Sequence, residues 1–208
     1  MAENKGMSDL WKRLRFVFMA IIVYRIGTHI PIPGIDPDRL ASLFDQNQGT
    51  ILELFNLFSG GALERMSIFA LNVVPYISSA IIMQLFSNSI PYLQDLKKDG
   101  QAGRNTITQY TRYGTVFLAL IQASALAATL SSSGLAYQPG PSFFITAVVS
   151  VVAGTVFLMW LGEQVSERGI GNGISIIIAT SILTGIPGAI GQALEQARQG
   201  DLNILLLL

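Results

Sequence analysis

Residues 143–162, FFITAVVSVVAGTVFLMWLG, carry no charged side chain. A helix of about 20 residues is roughly 30 Å long, the thickness of a bilayer's hydrocarbon core. Apolar blocks of similar length recur at 14–30, 68–89, 113–130 and 174–190. Half of the chain is apolar and 12% is charged, about half the charged share of a soluble domain. The pattern predicts an all-α, multi-pass membrane helix bundle. Formal net charge is zero and cysteine is absent. This leaves no sequence-wide attraction to nucleic acid, and it excludes disulfides, thiolate metal sites and a cysteine nucleophile.

One stretch does more than span. Residues 59–84, SGGALERMSIFALNVVPYISSAIIMQ, open on Gly60 and Gly61, pass Glu64 and Arg65, and interrupt an apolar run with Asn72 and Pro75. Glycine loosens the backbone and proline removes a donor, where unmade hydrogen bonds cost most. Such breaks are tolerated at membrane depth when they are covered by protein or line a wet cavity. Just upstream, residues 50–58, TILELFNLF, are expected to form an amphipathic helix too short to cross lipid. It is either a re-entrant segment or a helix lying flat at the interface.

The connections fix an orientation. The polar head, residues 1–13, and the positions just after it hold Lys5, Lys12, Arg13 and Arg15. The 91–111 loop with adjoining Arg112 holds Lys97, Lys98 and Arg104, and the glycine-rich turn at 163–173 holds Arg168. The opposite side has Arg39, Arg65 and Arg198 beside several acids. The amino terminus is therefore expected in the cytoplasm. A signal peptide is a poor fit, because no small-x-small cleavage site follows the first apolar run. Arg25, near the end of that run, is read as an interfacial anchor or, less simply, as part of a passage. Pro31 and Pro33 end the first helix. A further apolar segment begins at 204–208, so the chain is expected to be a fragment.

Chemistry is sparse. His29 is the one histidine, and nucleotide-, zinc- and serine-hydrolase signatures are lacking. No carboxylate falls within the core of a predicted membrane helix, which argues against an enzyme or a proton-coupled pump. No metal or cofactor is expected. Two helical stripes stand out: Val73, Ile77, Ala80 and Gln84, and Ile174, Ile178, Ser181 and Gly185. Each begins β-branched and ends small or polar, as suits an apolar neck opening into a wetter vestibule; isoleucines facing lipid or a neighbour would look the same. Ser78, Ser79 and Gln122 are polar at membrane depth and need partners on adjacent helices, static or switching.

The stretches RIGTHIPIPGID, FNLFSGGALERMSIFALNVVPYISSAIIMQL, ITQYTRYGT and MWLGEQVSERGIGNGISIII resemble the SecY family, central subunits of the bacterial protein-conducting channel. The resemblance implies five helices plus the start of a sixth. They would be one half of a two-fold pseudo-symmetric channel that closes on an hourglass pore. It implies an apolar pore ring at Val73, Ile77, Ile174 and Ile178, with valine at 73 where isoleucine is common. It implies a plug over 50–67, with Leu54, Phe55, Phe58, Ser59, Gly60 and Gly61 as plug and hinge residues. It implies a lateral gate for which Ser78 and Gln122 are the candidates. Expected partners are the small subunits SecE and SecG, the SecA motor ATPase, the ribosome, signal sequences, nascent polypeptides and lipid. The expected site is the bacterial cytoplasmic membrane. The rivals are a small-solute secondary transporter with a broken second helix, and a scaffold subunit.

Overall fold

The computed structural model describes residues 3–46, 56 and 59–199. Its helices are α1 (Glu3–Gly27), α2 (Pro37–Gln46), α3 (Val74–Ser89), α4 (Pro91–Lys98), α5 (Gly100–Ser132), α6 (Pro141–Arg168) and α7 (Gly173–Gln199). Strand-like pairing among the described residues is confined to two isolated bridges, Pro31 with Ser67 and Ile35 with Ala136. The chain is all-α.

Helix α6 is the centre. It packs against α5, α7 and α1 and touches α3, while α5 carries α3 and α4. The packing follows from small residues. Thr111, Thr115, Ala119, Ala123 and Ala127 of α5 are all buried and four apart, so they lie on one face. Small side chains let helices approach until backbone and methyl groups touch, which is how helices associate where lipid removes the hydrophobic drive. The two threonines return their hydroxyls to carbonyls of their own helix, those of Ile107 and Thr111. On α6, Gly162 leaves room for the Ile174 side chain of α7.

Helices α5 and α6 are long and apolar enough to cross a membrane. Outward faces bear exposed Phe18, Phe117, Ile145, Val149 and Leu183, a surface that only lipid or further protein would cover.

Several boundaries differ from those expected. The head is helical, because α1 begins at Glu3; it ends at Gly27 rather than 30, since residues 28–32 turn to bridge Ser67. The polar connection after it contains α2. The 91–111 loop is two helices, with Pro91 starting α4 and Gly100, at φ +69°, turning the chain into α5. Helix α3 starts at Val74, not 68, and α7 runs through Pro187 to Gln199. The segment at 204–208 lies outside the described residues.

Candidate functional site

Residues 60–73 form turns rather than helix. Gly60 (φ +66°), Gly61 (+79°), Met66 (+41°) and Asn72 (+49°) adopt left-handed backbone. Glycine does so freely and asparagine tolerably, but methionine is strained there. Neighbours hold the strain in place. The Met66 carbonyl accepts from Ile32 N–H at 2.8 Å, and Ile68 N–H donates to the Ile30 carbonyl at 3.0 Å. Phe69 stacks between Tyr24 of α1 and Phe157 of α6, with both ring centroids 6.0 Å away. Gly27 and Gly154 make room, for a Cβ on either would collide with the Phe69 ring or the Ile68 backbone. The end of the break is also the start of α3. Asn72 Oδ1 accepts from Val73 N–H at 2.9 Å, and Pro75 sits in the first turn, where its missing N–H costs nothing.

The hinge is held by its carbonyls. Tyr24 OH donates to the Ser59 carbonyl at 3.3 Å, and Arg25 Nη1 to the Gly60 carbonyl at 3.0 Å. Tyr24 OH also meets Ser181 Oγ of α7, which accepts from Asn72 Nδ2 at 3.1 Å. Tyr24, Ser59, Asn72 and Ser181 are all buried. A Cβ on Gly60 would lie 3.0 Å from Thr184 Oγ1 and 3.1 Å from the Ser181 carbonyl oxygen, so hinge and α7 are in close contact.

Beside this hub Ile77, Ile174 and Ile178 line one cavity of about 620 Å³. They are half-buried and pack on a core that includes Val73, Tyr24, Phe69 and Leu158. Val73 itself is 1% exposed and does not line the cavity: as the residue that caps α3, it lies in the packed core. Three of the four ring candidates thus face one space, and the fourth lies in the core on which they pack. The same cavity is also lined by polar Gln84, Asn105, Thr108 and Ser175 and by the charged pair Arg112 and Glu163. There Arg112 donates twice to Glu163, both bonds at 2.8 Å, clamping α5 to α6. The glycine-rich turn beyond has a structural task. Asn172 Oδ1 caps α7 by accepting from Ile174 N–H at 3.0 Å, and Gly173 lies against the Gly162 carbonyl, where a side chain could not fit.

Of the plug and hinge candidates, Ser59, Gly60 and Gly61 are described; Leu54, Phe55 and Phe58 lie outside the described residues. Of the polar candidates, it is Ser79, not Ser78, that reaches α5, donating to the Thr111 carbonyl at 2.7 Å. Gln122 is on α5, about 16 Å further along the helix from Thr111 at 1.5 Å per residue. Tyr24 and Ser181 were not singled out from the sequence as partners. The signal available was a phenol inside an apolar run, which needs a hydrogen-bond acceptor when buried.

A family model for SecY matches residues 67–208. The chain belongs to the SecY family. The protein translocase subunit SecY of Pseudomonas aeruginosa is 62% identical over 206 residues, covering 99% of this chain and 47% of its own length. That of Escherichia coli K12 is 57% identical, with 98% and 47% covered. The chain spans about half the length of these curated relatives. Solved structures agree on the fold. Sec61 in the canine ribosome–channel complex matches at TM-score 0.63 and 19% identity, over 94% of this chain and 43% of that one. A SecY channel whose plug domain stabilises its closed state matches at TM-score 0.61 and 21% identity, over 94% and 42%.

Proposed function

We propose that this chain forms one wall of a protein-conducting pore. The full-length protein would pass unfolded secretory chains across the bacterial cytoplasmic membrane and release apolar helices sideways into lipid. The observation that carries the reading is the shared cavity wall of Ile77, Ile174 and Ile178 beside buried Val73. Branched aliphatic side chains present bulk without hydrogen-bonding groups, so water and ions meet a desolvation barrier while a passing peptide is not held. Residues 50–67 serve as the plug, moving about the Ser59–Gly60–Gly61 hinge. Helices α3 and α5 form one side of the lateral gate, with Ser78 and Gln122 at its polar contacts. The amino terminus faces the cytoplasm. SecE, SecG, SecA, the ribosome and signal sequences are the partners, and they supply the driving energy; the chain performs no covalent chemistry. Membership of the SecY family supports this over a small-solute transporter, since the relatives are protein translocase subunits.

In the full-length protein, Ile77→Asn or Ile178→Asn is expected to raise resting ion conductance in planar bilayers and to admit precursors with defective signal sequences. Conductance equal to the parent for both variants would sink the ring assignment.

A further inference from the structure

Ser181 Oγ is where three parts of the molecule meet: α1 through Tyr24, the start of α3 through Asn72, and α7 itself. A serine hydroxyl has one proton and two lone pairs. When its proton goes to the Ile177 carbonyl, 2.9 Å away, Asn72 and Tyr24 fill the lone pairs, and Tyr24 shares its own proton between Ser181 and the Ser59 carbonyl. When Ser181 donates to Tyr24 instead, the phenol proton is free to grip Ser59 alone. Both arrangements use the same heavy-atom positions, and in both the hinge is tied to α7 through Tyr24.

The location gives this cluster a consequence. Asn72 immediately precedes Val73, and Ser181 lies one turn beyond Ile178 on α7. The cavity lies between Ile77 of α3 on one side and Ile174 and Ile178 of α7 on the other. Spreading α3 from α7 must therefore break the Asn72–Ser181 bond, and moving α7 from α1 must break Tyr24–Ser181. We propose that Tyr24 and Asn72 act through Ser181 as a catch, positioning residues that make widening of the apolar ring and release of the Ser59–Gly60 hinge a single event. The inference rests on the pore reading above.

The test uses the full-length protein with its partner subunits in lipid vesicles. The resting ion leak is measured together with the alkylation rate of a cysteine introduced at Leu63, this chain having none of its own. Asn72→Gly keeps the left-handed backbone and removes the amide, Ser181→Ala removes the hub, and Tyr24→Phe keeps the ring stack and removes the hydroxyl. Each is expected to raise leak and labelling at least about fivefold, the effect of losing one ordinary hydrogen bond on an opening equilibrium. The Asn72→Gly/Ser181→Ala double variant is expected to fall well short of the two single effects combined, the bond from Val73 N–H to Asn72 being lost whether or not Ser181 is present. Thr180→Ala, which deletes a hydroxyl bonded to its own helix at the Ile176 carbonyl, is expected to change neither. Ile77→Asn and Ile178→Asn separate the two claims. If neither leaks, the pore reading fails; if either leaks while the three catch variants match the parent, the catch is wrong. Additive effects in the double variant, or an equal effect of Thr180→Ala, would also overturn it.

Discussion

Gly154→Ala is the sharpest test of how the break is seated. In the middle of α6 the change should help, since alanine is favoured over glycine in helices by about 1 kcal/mol. The surroundings reverse the sign. The new Cβ would lie 2.8 Å from the Ile68 carbonyl carbon and 3.1 Å from Phe69 Cδ1, and nearer still to the Ile68 carbonyl oxygen. Carbon atoms rest at about 3.5–4.0 Å, so the backbone at Ile68 must retreat by at least about 0.7 Å. It has little room to do so, because Ile68 N–H is bound to Ile30 and the Met66 carbonyl to Ile32. Overpacking of this kind costs about 1–3 kcal/mol or more, which outweighs the propensity gain. Gly191→Ala is the control, a helical glycine with open space around its Cβ. In thermal unfolding of the purified full-length protein, about twice this length by its relatives, Gly154→Ala should melt a degree or more below the parent, at about 1–2 °C per kcal/mol, and Gly191→Ala at or above it. A Gly154→Ala midpoint equal to that of Gly191→Ala would refute the reasoning.

Other consequences are simpler to check. Glu163→Gln should lose one side of the clamp to Arg112 and lower the midpoint by an amount worth about 1 kcal/mol at low salt, less at high salt; the charge-reversed pair Arg112→Glu with Glu163→Arg should recover most of it. Asn172→Ala removes the α7 cap and should cost about 1 kcal/mol, whereas Asn172→Ser should cost little, as read from equilibrium unfolding. Ser79→Ala should cost only about 0.6 kcal/mol, because the Thr111 carbonyl keeps its bond from Thr115; a loss several times larger would show that the contact does more than join α3 to α5.

What could be read from the sequence was what lipid imposes. A run such as 143–162 has one affordable conformation in hydrocarbon, and α6 contains it whole. The isoleucine stripes were legible for the same reason, because helical spacing alone puts Ile174 and Ile178 on one face. The start of α3 was misplaced because residues 68–73 are as apolar as a helix interior. Their turns are imposed by Ile30, Ile32, Tyr24 and Gly154, none of which is local. The helices in 91–111 were missed because no apolar run marks them. Tyr24 and Ser181 stand 157 positions apart, and no spacing rule links residues at that separation.

The grip of Tyr24 and Arg25 on the Ser59 and Gly60 carbonyls has a bearing on how such a chain can vary. A carbonyl oxygen is present whatever the side chain, so the attachment reads the course of the backbone and ignores its sequence. The segment that leads into the hinge can therefore drift, lengthen or change hydrophobicity without loosening its mooring, provided the glycine conformation survives. The holding residues on α1 have no such freedom. Variation should thus fall unevenly on the two partners of one contact, heavy on the side that is held and light on the side that holds.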